Sequence, residues 1–285
     1  MTLIDGKSIS AKVKDEIKSA ASDLAAKGVK PALAVILVGE DAASKTYVAS
    51  KEKACAACGI RSVAHRLSSD VSEAALLELI ENLNDDESID GILVQLPLPK
   101  HIDTNKILEK ISPQKDVDGF SAINVGKLTS GLADGFVPCT PLGVMRLLEE
   151  YGVQIAGKNA VVLGRSNIVG KPMASLLLNA DATVTITHSK TKNLKWLCAD
   201  ADILVAAVGR AHFVGADMIK QGAVVIDVGI NRGGDGKLRG DVDFDAVAPK
   251  CSFITPVPGG VGPMTIAMLL SNTIKSAKNR LRQRA

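Results

Sequence analysis

Tyr47 and Lys51 stand four residues apart in a helical pattern, so their side chains share one face of a helix. Tyrosine is scarce in this chain, which has only Tyr47 and Tyr151. A lysine in an alanine-rich, partly desolvated setting has a lowered pKa and can handle protons near neutrality. Taken alone, such a pair is ordinary surface decoration. Two further polar residues give it weight. Gln95 comes near the end of the apolar run Gly91-Ile92-Leu93-Val94-Gln95-Leu96, which would bring its amide to the carboxyl edge of a sheet. Asp118 lies in Lys115-Asp116-Val117-Asp118-Gly119-Phe120, a turn in which an aspartate can also simply close an Asx turn.

A second group of residues suits an anion. The apolar run Val161-Val162-Leu163 leads straight into Gly164-Arg165-Ser166-Asn167-Ile168-Val169-Gly170, and a helix opens near Lys171-Pro172. Strand, glycine loop and helix in that order let a phosphate reach backbone N–H groups at a helix N-terminus, where side chains would block it. The loop departs from G-x-G-x-x-G: Ser166 takes the place of the middle glycine, and the last glycine comes one position late. The next strand ends at Thr187-His188-Ser189-Lys190-Thr191, where an NAD site usually carries an acid for the ribose 2′-hydroxyl. No acid stands there. Ser189, Lys190 and the loop's Arg165 instead suit a 2′-phosphate, which favours NADP over NAD. Two more glycine turns, Val208-Gly209-Arg210 and Val228-Gly229-Ile230-Asn231, follow strand ends and should line the same crevice.

The elements that must position these residues alternate between helix and strand. Ile9, Val13, Ile17, Ala21 and Leu24 form a helical stripe ended by Gly28 and Pro31. Ala32 to Val38 is a continuous apolar strand covered on both faces. A helix is predicted from about Ala42 to Ala57, a strand from Ile60 to Leu67, a helix beginning at Ser72, and the strand that carries Gln95. Residues 112–141, punctuated by Gly119, Gly126, Gly131, Gly135, Pro138 and Pro141, read as a loop-rich connection, and Leu142 to Tyr151 as a short helix. A second alternating unit follows, with strands at 160–163, 183–186, 203–206, 224–228 and about 253–254. A helix from about Met264 to Arg284 ends the chain. Two α/β domains with parallel sheets are the expected architecture.

Composition narrows the function. The 285 residues suit two domains. The 34 Lys and Arg against 31 Asp and Glu leave a net charge of +3, and aromatics are 3%. Neither a basic footprint nor a stacking platform for nucleic acid is present. Lys275, Lys278, Arg280, Arg282 and Arg284 are expected to complement the last helix's dipole and solvate its face. No apolar stretch approaches the ~18 residues of a membrane span, and the first residues show no signal pattern. The five cysteines are dispersed and odd in number, so a disulfide framework is not expected and the cytoplasm is. Cys55-Ala-Ala-Cys58 has half-site spacing but no second pair of ligands, so no metal site is expected.

Five motifs taken together resemble a known family: Tyr47-Val48-Ala49-Ser50-Lys51, Val94 to Pro99, Lys115 to Gly119, Gly164 to Pro172, and Thr255-Pro256-Val257-Pro258-Gly259-Gly260-Val261-Gly262-Pro263-Met264-Thr265. They run in order along the whole chain, which is similar to the bifunctional methylenetetrahydrofolate dehydrogenase/methenyltetrahydrofolate cyclohydrolases. The resemblance implies a homodimer that oxidises 5,10-methylenetetrahydrofolate with NADP and hydrolyses the product to 10-formyltetrahydrofolate. It implies a folate-binding catalytic α/β domain over residues 1–140 completed by 264–285. A Rossmann-like NADP-binding domain would span 141–263, with an inter-domain cleft.

Under the same resemblance Lys51 is the catalytic lysine, Tyr47 stacks and hydrogen-bonds, Gln95 tunes the lysine and Asp118 binds the pterin. Gly164, Arg165, Ser166, Ser189 and Ile230 contact NADP, while Pro258 and Gly259 join Tyr47, Lys51, Gln95 and Asp118 around the substrate. Two rivals remain. A dehydrogenase that has lost the hydrolase would have no need of Lys51 and Gln95. A nucleotide-sensing module would have no reason to keep Tyr47, Lys51, Gln95 and Asp118 together.

Overall fold

The structure is a computed structural model that describes residues 1–284. Ala285, the last residue of the expected segment 264–285, lies outside the described residues, as does the side chain of Arg284.

In chain order the elements begin with β1 (Thr2–Leu3), α1 (Gly6–Ala26), β2 (Ala32–Val38), α2 (Ala42–Ala57), β3 (Arg61–Leu67), α3 (Glu73–Asp85) and β4 (Gly91–Val94). Next come α4 (Thr104–Lys110), α5 (Ala122–Thr129), α6 (Cys139–Glu150), β5 (Asn159–Leu163), α7 (Gly170–Asn179), β6 (Thr183–Thr187) and α8 (Leu194–Ala199). The chain then forms β7 (Ile203–Ala206), β8 (Val224–Asp227), β9 (Asn231–Arg232), β10 (Leu238–Arg239), α9 (Phe244–Val247), β11 (Phe253–Ile254) and α10 (Val261–Arg284). Two compact units result. One holds Lys12 to Cys139 and the chain from Ile266 onward; the other holds Met1 to Ala11 and Thr140 to Thr265.

The first unit is built on a parallel sheet of order β3-β2-β4. All seven residues of β2 are buried, as its unbroken apolar run requires. Leu76, Ile80 and Leu83, spaced along one face of α3, pack into a core with Ala34, Ile36, Ile92 and Val94. Fully burying side chains of this size stabilises the unit by roughly 1.5–3 kcal/mol each. Asp41 caps α2 by accepting from the Ser44 N–H at 2.8 Å, which fixes where the helix carrying Tyr47 and Lys51 begins.

The end of α10 is tied to this unit by polar contacts. Arg280 donates twice to Asp90, at 2.7 and 3.1 Å, while the same carboxylate accepts from the Ala32 N–H at 2.9 Å. Lys275 donates to the carbonyls of Ala133 and Gly135. These two basic residues therefore bind protein groups, where the sequence predicted solvated charges complementing a helix dipole.

The second unit carries a six-stranded parallel sheet of order β1-β11-β8-β7-β5-β6. From β5 the chain steps to β6 on one side, then returns to β7 and β8 on the other. The strand order thus reverses between β5 and β7.

Three expectations are corrected. Residues 1–11 belong to the second unit and not to a domain running over 1–140, because β1 pairs with β11 (Thr2 with Phe253, Leu3 with Ile254) and the Asp5 N–H donates to the Tyr151 hydroxyl at 2.7 Å. The stretch 112–141 is not only loop. It contains α5, capped by Ser121 and anchored by the buried Asp116, which accepts from the N–H groups of Phe120 and Ser121 and from the Asn124 amide. Glycine punctuation hid the helix. Finally, α6 starts at Cys139, not Leu142, since Pro141 falls in its first turn, where its missing N–H costs nothing.

Candidate active site

In the first unit the expected residues come from three elements. α2 presents both Tyr47 and Lys51, but their surroundings differ: Tyr47 is 46% exposed and Lys51 only 9%. β4 ends at Val94, and the Gln95 N–H still continues the ladder by donating to the Ile36 carbonyl at 2.8 Å. That bond aims the Gln95 side chain beyond the sheet's carboxyl edge. Its amide NH₂ donates to the Leu96 carbonyl at 2.8 Å, which turns the amide oxygen toward Lys51, and the Lys51 ammonium donates to that oxygen at 2.9 Å.

Burial holds the Lys51 pKa below the ordinary lysine value, an effect partly offset by the negative charge of Asp118. The reciprocal holds for Asp118: burial pushes its carboxyl up, and the Lys51 charge pulls it back. The site therefore pairs a lysine that gives up its proton more easily than usual with a carboxylate that retains one more readily.

Two residues that sequence reasoning missed hold Asp118 in place. The Cys139 thiol lies 3.4 Å from both Asp118 Oδ1 and the Val117 carbonyl, so its single S–H is shared between these two acceptors. Burial raises its pKa well above the usual thiol range, and the Asp118 charge adds to the effect, so it stays a neutral donor. The buried Asn272 of α10 donates to the carbonyls of Val117 at 2.7 Å and Val137 at 3.0 Å, bracketing the same turn. The sequence offered only a faint signal for Cys139, a small residue between Pro138 and Pro141, and none for Asn272.

In the second unit Gly164 sits at φ +129°, and a Cβ there would overlap the Ala207 carbonyl. A Cβ on Gly170 would overlap the Gly164 carbonyl. Both positions need glycine because the loop and the start of α7 fold tightly on each other. Ser166 earns its place where a glycine was expected. Its hydroxyl accepts from the N–H groups of Val169 at 3.1 Å and Gly170 at 3.3 Å, closing the loop onto the helix. Among the described residues no protein group accepts from the N–H groups of Arg165, Ser166, Asn167 or Ile168.

The turn after β6 is held by the His188 N–H donating to Thr191 Oγ1 at 2.9 Å. Ser189 and Lys190 are exposed beside it, as is Arg165 in the glycine loop. Ile230 is 46% exposed after β8. Pro258 is exposed and Gly259 partly so, in the loop whose Gly259 carbonyl accepts from the Lys7 N–H at 2.9 Å. Free N–H groups, cations and a hydroxyl, with no carboxylate at the strand end, fit a dinucleotide bearing a 2′-phosphate.

Sequence reading also passed over Asp227 and Asp241, both buried. Asp227 could have been noticed, since an acid inside the apolar strand Val224 to Val228 must find donors. It accepts from the N–H groups of Gly229, Asp241 and Val242, each at 2.9 Å, yet burial still pushes its pKa up to about 6. No group of three or more potential metal ligands occurs among the described residues.

A parallel-sheet unit with a glycine loop at the reversal of strand order, joined in one chain to an α/β unit with a desolvated lysine, defines a nucleotide-dependent enzyme of the α/β class. Residues 4–118 match the catalytic-domain model of the tetrahydrofolate dehydrogenase/cyclohydrolases, and residues 138–281 match that family's NAD(P)-binding-domain model. The chain belongs to the tetrahydrofolate dehydrogenase/cyclohydrolase family.

It is 71% identical over 283 residues to the bifunctional protein FolD of Campylobacter hominis, covering 99% of each chain. Its fold is similar to the crystal structure of the bifunctional FolD methylenetetrahydrofolate dehydrogenase/cyclohydrolase of Campylobacter jejuni, with a TM-score of 0.97, 57% identity and coverage of 98% of this chain and 99% of that one. It is also similar to the Trypanosoma brucei methylenetetrahydrofolate dehydrogenase-cyclohydrolase complexed with NADP cofactor and inhibitor. There the TM-score is 0.94 and the identity 42%, over 99% of both chains.

Proposed function

We propose that the protein oxidises 5,10-methylenetetrahydrofolate to 5,10-methenyltetrahydrofolate with NADP and then hydrolyses the methenyl compound to 10-formyltetrahydrofolate. The observation that carries this reading is the Lys51–Gln95 hydrogen bond at 2.9 Å, with Asp118 close enough to bias the lysine's protonation.

Bound NADP supplies the hydride acceptor. The residues suited to hold it are Gly164, Arg165, Ser166, Ser189 and Ile230, with Arg165 and Ser189 at the 2′-phosphate and the unpartnered loop N–H groups at the diphosphate. Hydride transfer asks little of acids or bases and depends on holding the methylene carbon in place. Asp118 does this by accepting from the pterin's amino and ring N–H groups, with Tyr47 of the same unit against the substrate. Hydrolysis asks more. Water attacks the amidinium carbon to form a C–O bond, the bond from that carbon to one ring nitrogen breaks, and a proton must reach the departing nitrogen. Lys51 moves that proton. Its lowered pKa makes release easy, and Gln95 fixes the direction in which the ammonium points.

The folate reading is assigned to the first unit and the nucleotide reading to the second. The protein is read further as a cytoplasmic homodimer. All five cysteines are free and buried, which supports a reducing compartment. Among the described residues no helix is long and apolar enough to cross a membrane. The test is spectroscopic. With methylenetetrahydrofolate and NADP, methenyl absorbance should appear and then decay faster than in buffer. Methenyl that persists would leave a dehydrogenase alone, and no change would overturn the reading.

A further inference from the structure

The crevice of a doubly wound sheet opens where the strand order reverses, here between the loops following β5 and β7. The two loops are treated oppositely. After β5, the N–H groups of Arg165 to Ile168 have no protein acceptor among the described residues. After β7, three successive N–H groups are all taken by one buried side chain. Asp241 Oδ2 accepts from Val208 at 2.6 Å and Gly209 at 2.9 Å, and Oδ1 accepts from Arg210 at 2.9 Å. Oδ1 also accepts from the Asn231 amide at 2.9 Å, which ties in the loop after β8 that bears Ile230. Asp241 is 0% exposed, and Gly229 lies so close to its carboxylate that any Cβ there would collide with it.

We propose that Asp241 is a positioning residue for the nucleotide, fixing the loops after β7 and β8 and reserving the anion-binding role for the loop after β5. Two physical effects act together. A carboxylate with four donors sets the direction of every peptide in Val208 to Arg210, so that wall of the crevice is formed before the nucleotide arrives and little ordering cost falls on binding. By taking those N–H groups and placing a negative charge behind them, it also leaves that wall unattractive to phosphate, which is directed to the free N–H groups and Arg165 on the opposite wall.

This inference rests on the NADP reading above. Asp241→Asn keeps the shape but puts an amide NH₂ among donors. The KM for NADP should rise about ten- to a hundredfold, while the rate at saturating NADP and the hydrolysis of added methenyltetrahydrofolate change less than about threefold. Asn231→Ala, which leaves the three backbone bonds in place, should raise the KM for NADP about three- to tenfold, and it carries the test if Asp241→Asn does not accumulate folded. An unchanged KM for NADP, or a fall of both activities in proportion, would overturn the inference while the wild type stays active. A wild type that bound no NADP would overturn the reading and the inference together.

Discussion

The Lys51 ammonium donates to the side-chain oxygen of Gln95 at 2.9 Å, joining a helix to the end of a buried strand 44 residues further along the chain. The bond gives a lysine that burial makes easier to deprotonate a single direction. Lys51→Met keeps the apolar stem and removes the amine. Hydrolysis should fall by about 10²–10⁴-fold, the usual contribution of positioned acid–base help. The dehydrogenase should lose less, because hydride transfer rests on proximity. Methenyl absorbance should then rise and stay. Hydrolysis at the parent rate in this variant would remove Lys51 from the mechanism.

Asp118 is expected to anchor the pterin and to act on Lys51 electrostatically. Asp118→Ala should lower kcat/KM for both activities together, by about ten- to a hundredfold for a lost charge-assisted contact. In Asp118→Asn the charge that raises the Lys51 pKa is gone, so that pKa falls further below its ordinary value. The limb of the hydrolysis pH profile set by Lys51 should move to lower pH. Loss of only one activity would make Asp118 a step-specific group instead of an anchor.

Arg165 is exposed in the glycine loop with no acid at the end of β6 to oppose it. Arg165→Ala should weaken NADP about ten- to a hundredfold and leave NAD nearly unchanged, because only NADP carries the 2′-phosphate. Titrating both nucleotides by calorimetry separates the cases. Equal weakening would place Arg165 at the diphosphate or in the fold.

Asp227 should titrate in the folded protein near pH 6, against an ordinary value of 3.8. Its folded pKa is raised, so between those values the folded chain binds more protons than the unfolded chain, and this group's contribution to stability falls as pH rises. The difference is on the order of 2–3 kcal/mol. The stability of the wild type relative to Asp227→Asn should therefore increase as pH is lowered from 7 to 4, measured by denaturant unfolding at each pH. A constant difference across that range would show that the carboxyl is not titrating there.

Much of the fold was legible because its signals are local. The unbroken apolar run Ala32 to Val38 requires a strand covered on both faces, and it is buried throughout. The passage from Val161 through Gly164 to Gly170 requires a strand, a tight loop and a helix, and β5 and α7 supply them. Lys51 and Tyr47 share a helix because they are four residues apart, and Gln95 follows a strand because apolar residues precede it.

What the sequence could not supply were the contacts whose partners are far apart in the chain. Met1 to Ala11 joined the second unit through distant partners, chiefly the pairing of β1 with β11 some 250 residues away and the Asp5 bond to Tyr151. The helix over Ala122–Thr129 depended on Asp116 collecting donors around it, which outweighed the glycines that signalled loop. Asn272, Cys139 and Asp241 carry no motif of their own. Their roles follow from which N–H groups and carbonyls the folded backbone brings within about 3 Å of them, and a buried polar group is costly unless such partners are there. Local spacing determined which residues could take part in the chemistry; tertiary structure decided which of them are dry, which are charged and which way they point.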